Sequence, residues 1–349
     1  MSLANKIKLF NILDTKELDA IFLFSPIYLK YFLNFSGDNG LLFLNGQDSL
    51  FATDSRYTLQ AEKENIDNVI EMKNHLSIVR EIIDKYKIKK IGFDGGNVFY
   101  SFIFKIINNT DASWVDISNE LSKIRAIKNS EEIDYIKQSV SIQEKGLSNI
   151  IEQGVYGLSE NFFSVQLECE LKRLGAEELS FPIIAAVDED AALPHAIPNN
   201  KKIILKDSVL LVDWGVKFNG YCSDQTVTLD FNKKNIDFNK IYDIVKEAQK
   251  LAMDFIKPGV KASDLDSIAR DYIESFGYGD YFGHSLGHGV GLEIHEYPFI
   301  SPFSDSIIEE NMVFTVEPGI YIPGKYGVRL EDMVLVKKNG IERLTTIDK

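Results

Sequence analysis

In the C-terminal half of this chain, acidic residues stand where the pattern calls for buried strand. Val209, Leu210, Leu211 and Val212 form an apolar run of the kind that fills a core, and the run ends in Asp213. Further on, Asp224 interrupts the alternating stretch YCSDQTVTLDF. A turn around residues 217–220 would set these two aspartates on adjacent strands. The sequence VFTV then runs into Glu317, Pro318 and Gly319, and GVRL runs into Glu331 and Asp332 before MVLV resumes. An unpaired buried carboxylate is costly and tends to protonate, and several together repel one another. One solution places each acid at a sheet edge, where it reaches water. The other is a pair of divalent metal ions, whose charge compensates the acids and which use both carboxylate oxygens.

Residues 283–296, GHSLGHGVGLEIHE, favour the second solution. They hold His284, His288 and His295, three of the five histidines in the chain. Glycine permits backbone conformations and close approaches that other residues do not. A stretch this rich in glycine makes a poor helix and gains little as a plain strand. It suits a backbone that curves around something and aims imidazoles at it. GHGVGL is not G-x-G-x-x-G and does not lie between a strand and a helix, so a dinucleotide-binding turn is not indicated. The expected metal ligands are Asp213, Asp224, His288, Glu317 and Glu331. Four carboxylates and one imidazole make a hard, oxygen-rich site, which favours Mn²⁺ and also admits Fe²⁺, Co²⁺ or Zn²⁺. Two ions about 3.5–4 Å apart would share bridging carboxylates.

A chain of 349 residues exceeds one typical core, so two domains are expected. Lys and Arg number 38 against 52 Asp and Glu, for a net charge of −14. That balance argues against nucleic acid or an anionic membrane as the main partner. Cys169 and Cys222 form no C-x-x-C motif and imply no disulfide framework. No stretch reads as a secretory leader or a membrane span, and the expected location is the cytoplasm.

Residues 1–122 alternate between helix and strand. A short amphipathic helix spans 5–13, and strands are expected at 20–24, 41–44, 49–52, 90–93 and 113–115. Helices are expected at 76–86 and 98–107 and, capped by Asp54, up to residue 64. His75 reads as surface structure. The charged stretch LSKIRAIKNS, residues 121–130, marks the boundary. Beyond it, helices start at Ser130, Ser159, Asp237 and Ser263. The strand pairs 208–216 with 220–231 and 312–322 with 328–336 lie between and after them. Helices and hairpins in separate blocks indicate α+β with a largely antiparallel sheet, and the helix-helix-hairpin pattern occurs twice.

At these residues the sequence resembles a family. LLVDWGVKFNGYCSDQT, HSLGHGVGLEIHE, FTVEPGIY and GVRLED resemble the motifs of the "pita-bread" metallopeptidases. FPIIAAVDEDAALPHA is similar to a motif of their proline-directed branch, Xaa-Pro aminopeptidase and prolidase, and TDSRYTLQAE and IGFD resemble that branch's creatinase-type N-terminal domain. The resemblance implies an α+β fold with an N-terminal creatinase-like α/β domain over 1–122 and a pita-bread catalytic domain over 123–349. It implies that Asp213 binds one metal, that His288 and Glu317 bind the other, and that Asp224 and Glu331 bridge them. It gives His284 and His295 to substrate and the tetrahedral intermediate, His195 to the substrate pocket, and Arg329 to support of the site. A hydroxide between the metals would attack the carbonyl before proline, with Glu317 carrying a proton.

The implied activity is Xaa-Pro aminopeptidase on peptides with proline second, with prolidase as the alternative. A homodimer is the expected assembly. A metal-free binding protein or a creatinase-like enzyme on this fold would be expected to lose ligands, and all five positions here keep an acid or a histidine. The sequence departs from the family pattern at Val227, where SDQTVT has valine in place of arginine, and in VDEDAA before His195. Neither departure touches a metal ligand.

Overall fold

A computed structural model describes residues 3–231 and 236–349. The chain divides into two units, Met1–Ile124 and Arg125–Lys349. In the first, β1 (Ala20–Leu23), β2 (Leu41–Asn45), β3 (Ser49–Thr53), β4 (Val69–Glu71), β5 (Lys90–Phe93) and β6 (Ser113–Asp116) form one sheet in the order β4-β3-β2-β1-β5-β6. β1 runs antiparallel to β2 and parallel to β5. Successive side chains of a strand point to opposite faces. Ile21 and Leu23 therefore pack with Leu9 and Ile12 of α1 (Leu3–Lys16) and with Leu29 and Phe32 of α2 (Pro26–Leu33). Phe22 packs on the other face, with residues of two later helices.

Local details of this unit differ from the sequence reading. Asp54 caps no helix: its carboxylate takes the backbone N–H and guanidinium of Arg56, and α3 (Thr58–Lys63) starts later. α4 (His75–Tyr86) is capped by Asn74, whose side chain accepts from the Ser77 N–H. His75 is half-buried between Phe24 and Phe102, with Nε2 3.3 Å from the Gly40 carbonyl, so it is a packed structural residue. α5 (Tyr100–Ile107) supplies Ile103 and Ile106 to the core that Phe22 shares with Ile78 and Ile82 of α4. The expected boundary stretch begins inside α6 (Ser118–Ala126).

In the second unit, α7 (Ser130–Gln153) is capped by Asn129, not Ser130. The Asn129 side chain accepts from the N–H groups of Glu131 and Glu132, and Glu132 accepts from the Asn129 N–H, a reciprocal capping box. α8 (Glu160–Arg173) has Ser159 as its cap, as expected. Its neighbours are β7 (Glu178–Leu179), β8 (Ile184–Val187), β9 (Val209–Trp214), β10 (Val216–Phe218), β11 (Tyr221–Cys222) and β12 (Gln225–Asp230). Leu147, Phe163 and Leu167 of α7 and α8 pack on Leu210, Val212 and Val227 of the β12-β9-β8 sheet.

α9 (Ile236–Phe255) and α10 (Ala262–Ser275), the latter preceded by Lys261 and not capped by Ser263, cover a second sheet. It holds β13 (Gly287–Gly289), β14 (Glu296–Ile300), β15 (Val313–Val316), β18 (Asp332–Lys337) and β19 (Gly340–Arg343) in the order β14-β13-β15-β18-β19, while β16 (Gly319–Ile322) pairs with β17 (Tyr326–Arg329). Val245, Ala248 and Ala269 pack against Phe314, Val316 and Val334. Each helix pair thus covers one set of strands. All strand pairs described in this unit are antiparallel.

The expected long hairpins are each broken. β9 pairs with β12 in the register Asp213↔Thr226, and the chain then bends at Gly215 into β10. A Cβ at Gly215 would lie 2.0 Å from the Ser223 carbonyl oxygen, so the bend needs glycine. Gaps also separate β11 from β12, β15 from β16, and β17 from β18. Asp224, Glu317 and Glu331 stand in those gaps. Among the described residues, no helix is long and apolar enough to cross a membrane.

Candidate metal centre

The three gap acids and Asp213 of β9 line one cavity. Asp224, His288 and Glu331 present ligand atoms within 4.8 Å of one another. His288 Nε2 lies 3.5 Å from Asp224 Oδ2 and 3.3 Å from Glu317 Oε1. His288 Nδ1 is 3.2 Å from the Gly289 carbonyl oxygen, which can only accept. Nδ1 therefore carries the proton, and Nε2 turns a lone pair towards carboxylate oxygens. Burial, reinforced by the neighbouring His295 ring, lowers the His288 pKa to about 4, so a second ring proton does not relieve this. Asp213 Oδ1 and Glu331 Oε1 are buried without a hydrogen-bond partner. Acceptors facing acceptors, with orphaned carboxylate oxygens, fit bound cations.

The same electrostatics appears in the acids. Burial raises the pKa of Asp213. Burial and the facing carboxylates raise those of Asp224 and Glu331 well above the usual range. Burial pushes Glu317 up to about 7.

The stretch around His288 forms a strand after all, contrary to its glycine content. β13 lies between β14 and β15, and a Cβ at Gly287 would sit 1.9 Å from the Thr315 carbonyl oxygen. Glycine there lets two backbones approach as no side-chain-bearing residue could. The register shifts between His288 and Gly289, and such a bulge re-aims a side chain. Thr315 then fixes both neighbours: its hydroxyl accepts from the His288 N–H at 3.1 Å and donates to Glu317 at 3.1 Å.

Arg329 ties the centre together. Its guanidinium is buried and donates to Asp213 Oδ2 (2.6 Å), Thr226 Oγ1 (3.0 Å), Tyr321 Oη (2.9 Å) and the Pro194 carbonyl (3.1 Å). The Thr226 hydroxyl donates to Glu331 Oε2 at 2.6 Å. Tyr321 Oη lies 2.8 Å from His284 Nε2, and His284 Nδ1 lies 2.8 Å from the Ser285 carbonyl. With Nδ1–H donating to that carbonyl, the tyrosine hydroxyl donates to Nε2. A hydrogen-bonded chain therefore runs from Asp213 through Arg329 and Tyr321 to His284. Burial and the Arg329 charge bring the His284 pKa down to about 4.

A cavity of about 540 Å³ covers the centre and is lined by Asp213, Asp224, His288, Glu317, Glu331 and Arg329 and by His195, His284 and His295. All nine residues singled out from the sequence line it. His195 and His295 are exposed, and the His295 ring stands edge-on to His288 with centroids 4.2 Å apart. His295 directly precedes β14, whose first residue, Glu296, has its buried carboxylate bound by Arg125 and, at 2.8 Å, by Lys128. Asp188, in the departing segment VDEDAA, accepts from the Val209 N–H at 2.9 Å. Buried Glu160 accepts from the N–H groups of Val187 (2.7 Å) and Asn199 (3.1 Å), so it fixes both ends of the loop that carries His195. Val227 pairs with Val212 and faces the core under α7 and α8, on the opposite side of β12 from Thr226.

Sequence reasoning missed Thr226, Thr315, Tyr321 and the pair Asp266–Arg270. Arg270, bonded to Asp266 at 2.7 and 2.9 Å, donates to the carbonyls of Phe282 (2.9 Å) and His284 (2.8 Å) and so holds the His284 segment. Their spacing of four along one helix was the available signal.

Comparison with known proteins gives the family. Residues 134–338 match the model of Metallopeptidase family M24, and residues 7–127 match the Creatinase/Prolidase N-terminal domain. An Xaa-Pro dipeptidase of Pyrococcus furiosus is 38% identical over 346 residues, covering 98% of this chain and 97% of that protein. Among solved structures, an Xaa-Pro dipeptidase from Bacillus anthracis has a TM-score of 0.94 at 35% identity, covering 99% of this chain and 98% of that one. The X-Pro aminopeptidase from Thermotoga maritima MSB8 has a TM-score of 0.88 at 35% identity, covering 95% and 96%. The chain belongs to metallopeptidase family M24, with a pita-bread catalytic domain preceded by a creatinase-type N-terminal domain.

Proposed function

We propose that this metallopeptidase hydrolyses the bond between an N-terminal residue and proline, as an Xaa-Pro aminopeptidase, with two divalent metal ions. The observation that carries the metal reading is the convergence of His288 Nε2, Asp224 and Glu317 as mutual acceptors beside the orphaned oxygens of Asp213 and Glu331. Those five side chains would hold the ions. The hard donor set favours Mn²⁺, with Co²⁺, Fe²⁺ and Zn²⁺ also compatible. Such ions supply a nucleophilic water and polarise the scissile carbonyl. Proline preference rests on the names of the relatives.

The chain's own groups divide the remaining work. Glu317, whose Oε1 lies 3.3 Å from His288 Nε2, is the group assigned to carry a proton during the reaction. His295 and His195 stand open in the cavity for substrate. His284 is oriented by Tyr321 and held neutral, so its Nε2 can accept from a substrate N–H once the tyrosine hydroxyl swings away. Arg329 positions Asp213 and Tyr321.

A second reading, Xaa-Pro dipeptidase, is supported by the names of the similar proteins of Pyrococcus furiosus and Bacillus anthracis. Hydrolysis of Ala-Pro beside Ala-Pro-Ala, with Mn²⁺ and with EDTA, separates the two. Cleavage of both, abolished by EDTA, is expected. Cleavage of the dipeptide alone would establish the second reading, and cleavage of neither by metal-loaded protein would refute proline specificity.

A further inference from the structure

The catalytic cavity shares a wall with a second one of about 610 Å³. Phe181, Pro182, Ile183, Ile197 and Pro198 line both. All five are apolar, and Ile197 is 85% exposed. Beyond them the second cavity is lined by Asn161, Ser164, Glu168 and Lys172. These recur at helical spacing and so form one polar stripe along α8.

We infer that the second cavity binds the stretch of peptide that follows the proline. The inference rests on the Xaa-Pro reading. An exopeptidase that removes one residue leaves the rest of its substrate on the leaving side of the scissile bond, and a cavity that borders the catalytic one across a partly exposed apolar wall can receive that part. The apolar wall between the cavities gains by being covered. The polar stripe offers donors and acceptors to a peptide backbone, whose groups need partners when they leave water.

The catalytic cavity itself favours a continuing chain over a chain end. Among the described residues, Arg329 is its one Lys or Arg side chain, and its guanidinium is turned to Asp213, Thr226, Tyr321 and the Pro194 carbonyl. A dipeptide would bring its terminal carboxylate there without a dedicated cation. A longer peptide presents a neutral amide instead and carries its charge outward.

The test compares kcat/KM for Ala-Pro-Ala and Ala-Pro-Ala-Ala-Ala in Mn²⁺-loaded full-length protein, in the parent and in Ser164→Trp, whose indole would take up part of the second cavity. The pentapeptide-to-tripeptide ratio is expected to fall about tenfold in the variant, equivalent to ~1.4 kcal/mol. The ratio is taken within each protein, so a smaller folded fraction does not change it. A second variant, Glu168→Lys, is expected to shift preference among pentapeptides from a terminal Lys towards a terminal Glu. Ratios insensitive to both variants, with peptides of every length cleaved, overturn this inference alone. A metal-loaded parent that cleaves no Xaa-Pro peptide overturns the Xaa-Pro reading and this inference with it.

Discussion

Asp224→Asn is expected to lower kcat/KM for an Xaa-Pro tripeptide by more than about a hundredfold, the upper range for loss of a group that merely supports a ligand. The same change is expected to leave the metal-free protein as stable as the parent or more so. Both effects have one cause. Asp224 is 4% exposed, has the His288 lone pair at 3.5 Å, and shares its surroundings with Glu331. Without cations, burial and the facing Glu331, Asp213 and Glu317 favour its protonated form, and an amide in its place keeps a neutral donor facing those acids. With cations it is a ligand. Thermal melts with and without Mn²⁺, beside the kinetics, separate the two roles. A variant that loses stability in EDTA as well as in Mn²⁺ would show that Asp224 is a structural residue.

The pH dependence of stability should reverse when metal binds. Glu317 is pushed from 4.5 to about 7 by burial. Between those values the folded protein keeps a proton that the unfolded chain has released, so stability falls as pH rises through that window. The loss assigned to Glu317 is on the order of 3 kcal/mol. Metal-free Glu317→Gln should therefore lose less stability than the parent between about pH 4.5 and 7, by denaturant titration. His288 and His284, lowered to about 4, act in the opposite sense below their unfolded pKa. Cations compete with the proton, so Mn²⁺ should bind more tightly, and stabilise more, as pH rises. Equal slopes for parent and variant would contradict this picture of Glu317.

Much of this was legible because chemistry forced exceptions into regular patterns. The apolar runs before Asp213 and Glu317, and GVRL before Glu331, read as core strands, so their acids called either for a sheet edge or for compensation by cations, and the structure brings them to one cavity. What the pattern hid was the means of convergence. Expectation placed continuous hairpins at 208–231 and 312–336, whereas the ladders stop at Asp224, Glu317 and Glu331. A two-residue gap leaves apolar periodicity almost intact and so escapes notice. The glycine run hid a strand, because close approach of the Thr315 backbone, visible only in three dimensions, decides in favour of glycine there. Thr226, Thr315 and Tyr321 look like ordinary strand residues, and only register and distance show that their hydroxyls orient Glu331, Glu317 and His284. Caps at Asn129 and Lys261 in place of Ser130 and Ser263 are errors of one or two residues between adjacent polar side chains.

Titration of chelator-stripped protein with Mn²⁺, followed by calorimetry and by metal analysis after gel filtration, tests the dinuclear reading most directly. Two ions retained per chain, with hydrolysis of Ala-Pro-Ala appearing as they bind, is the predicted result. Protein that retains no divalent ion at any of the four metals named, or that is fully active with one, would contradict it.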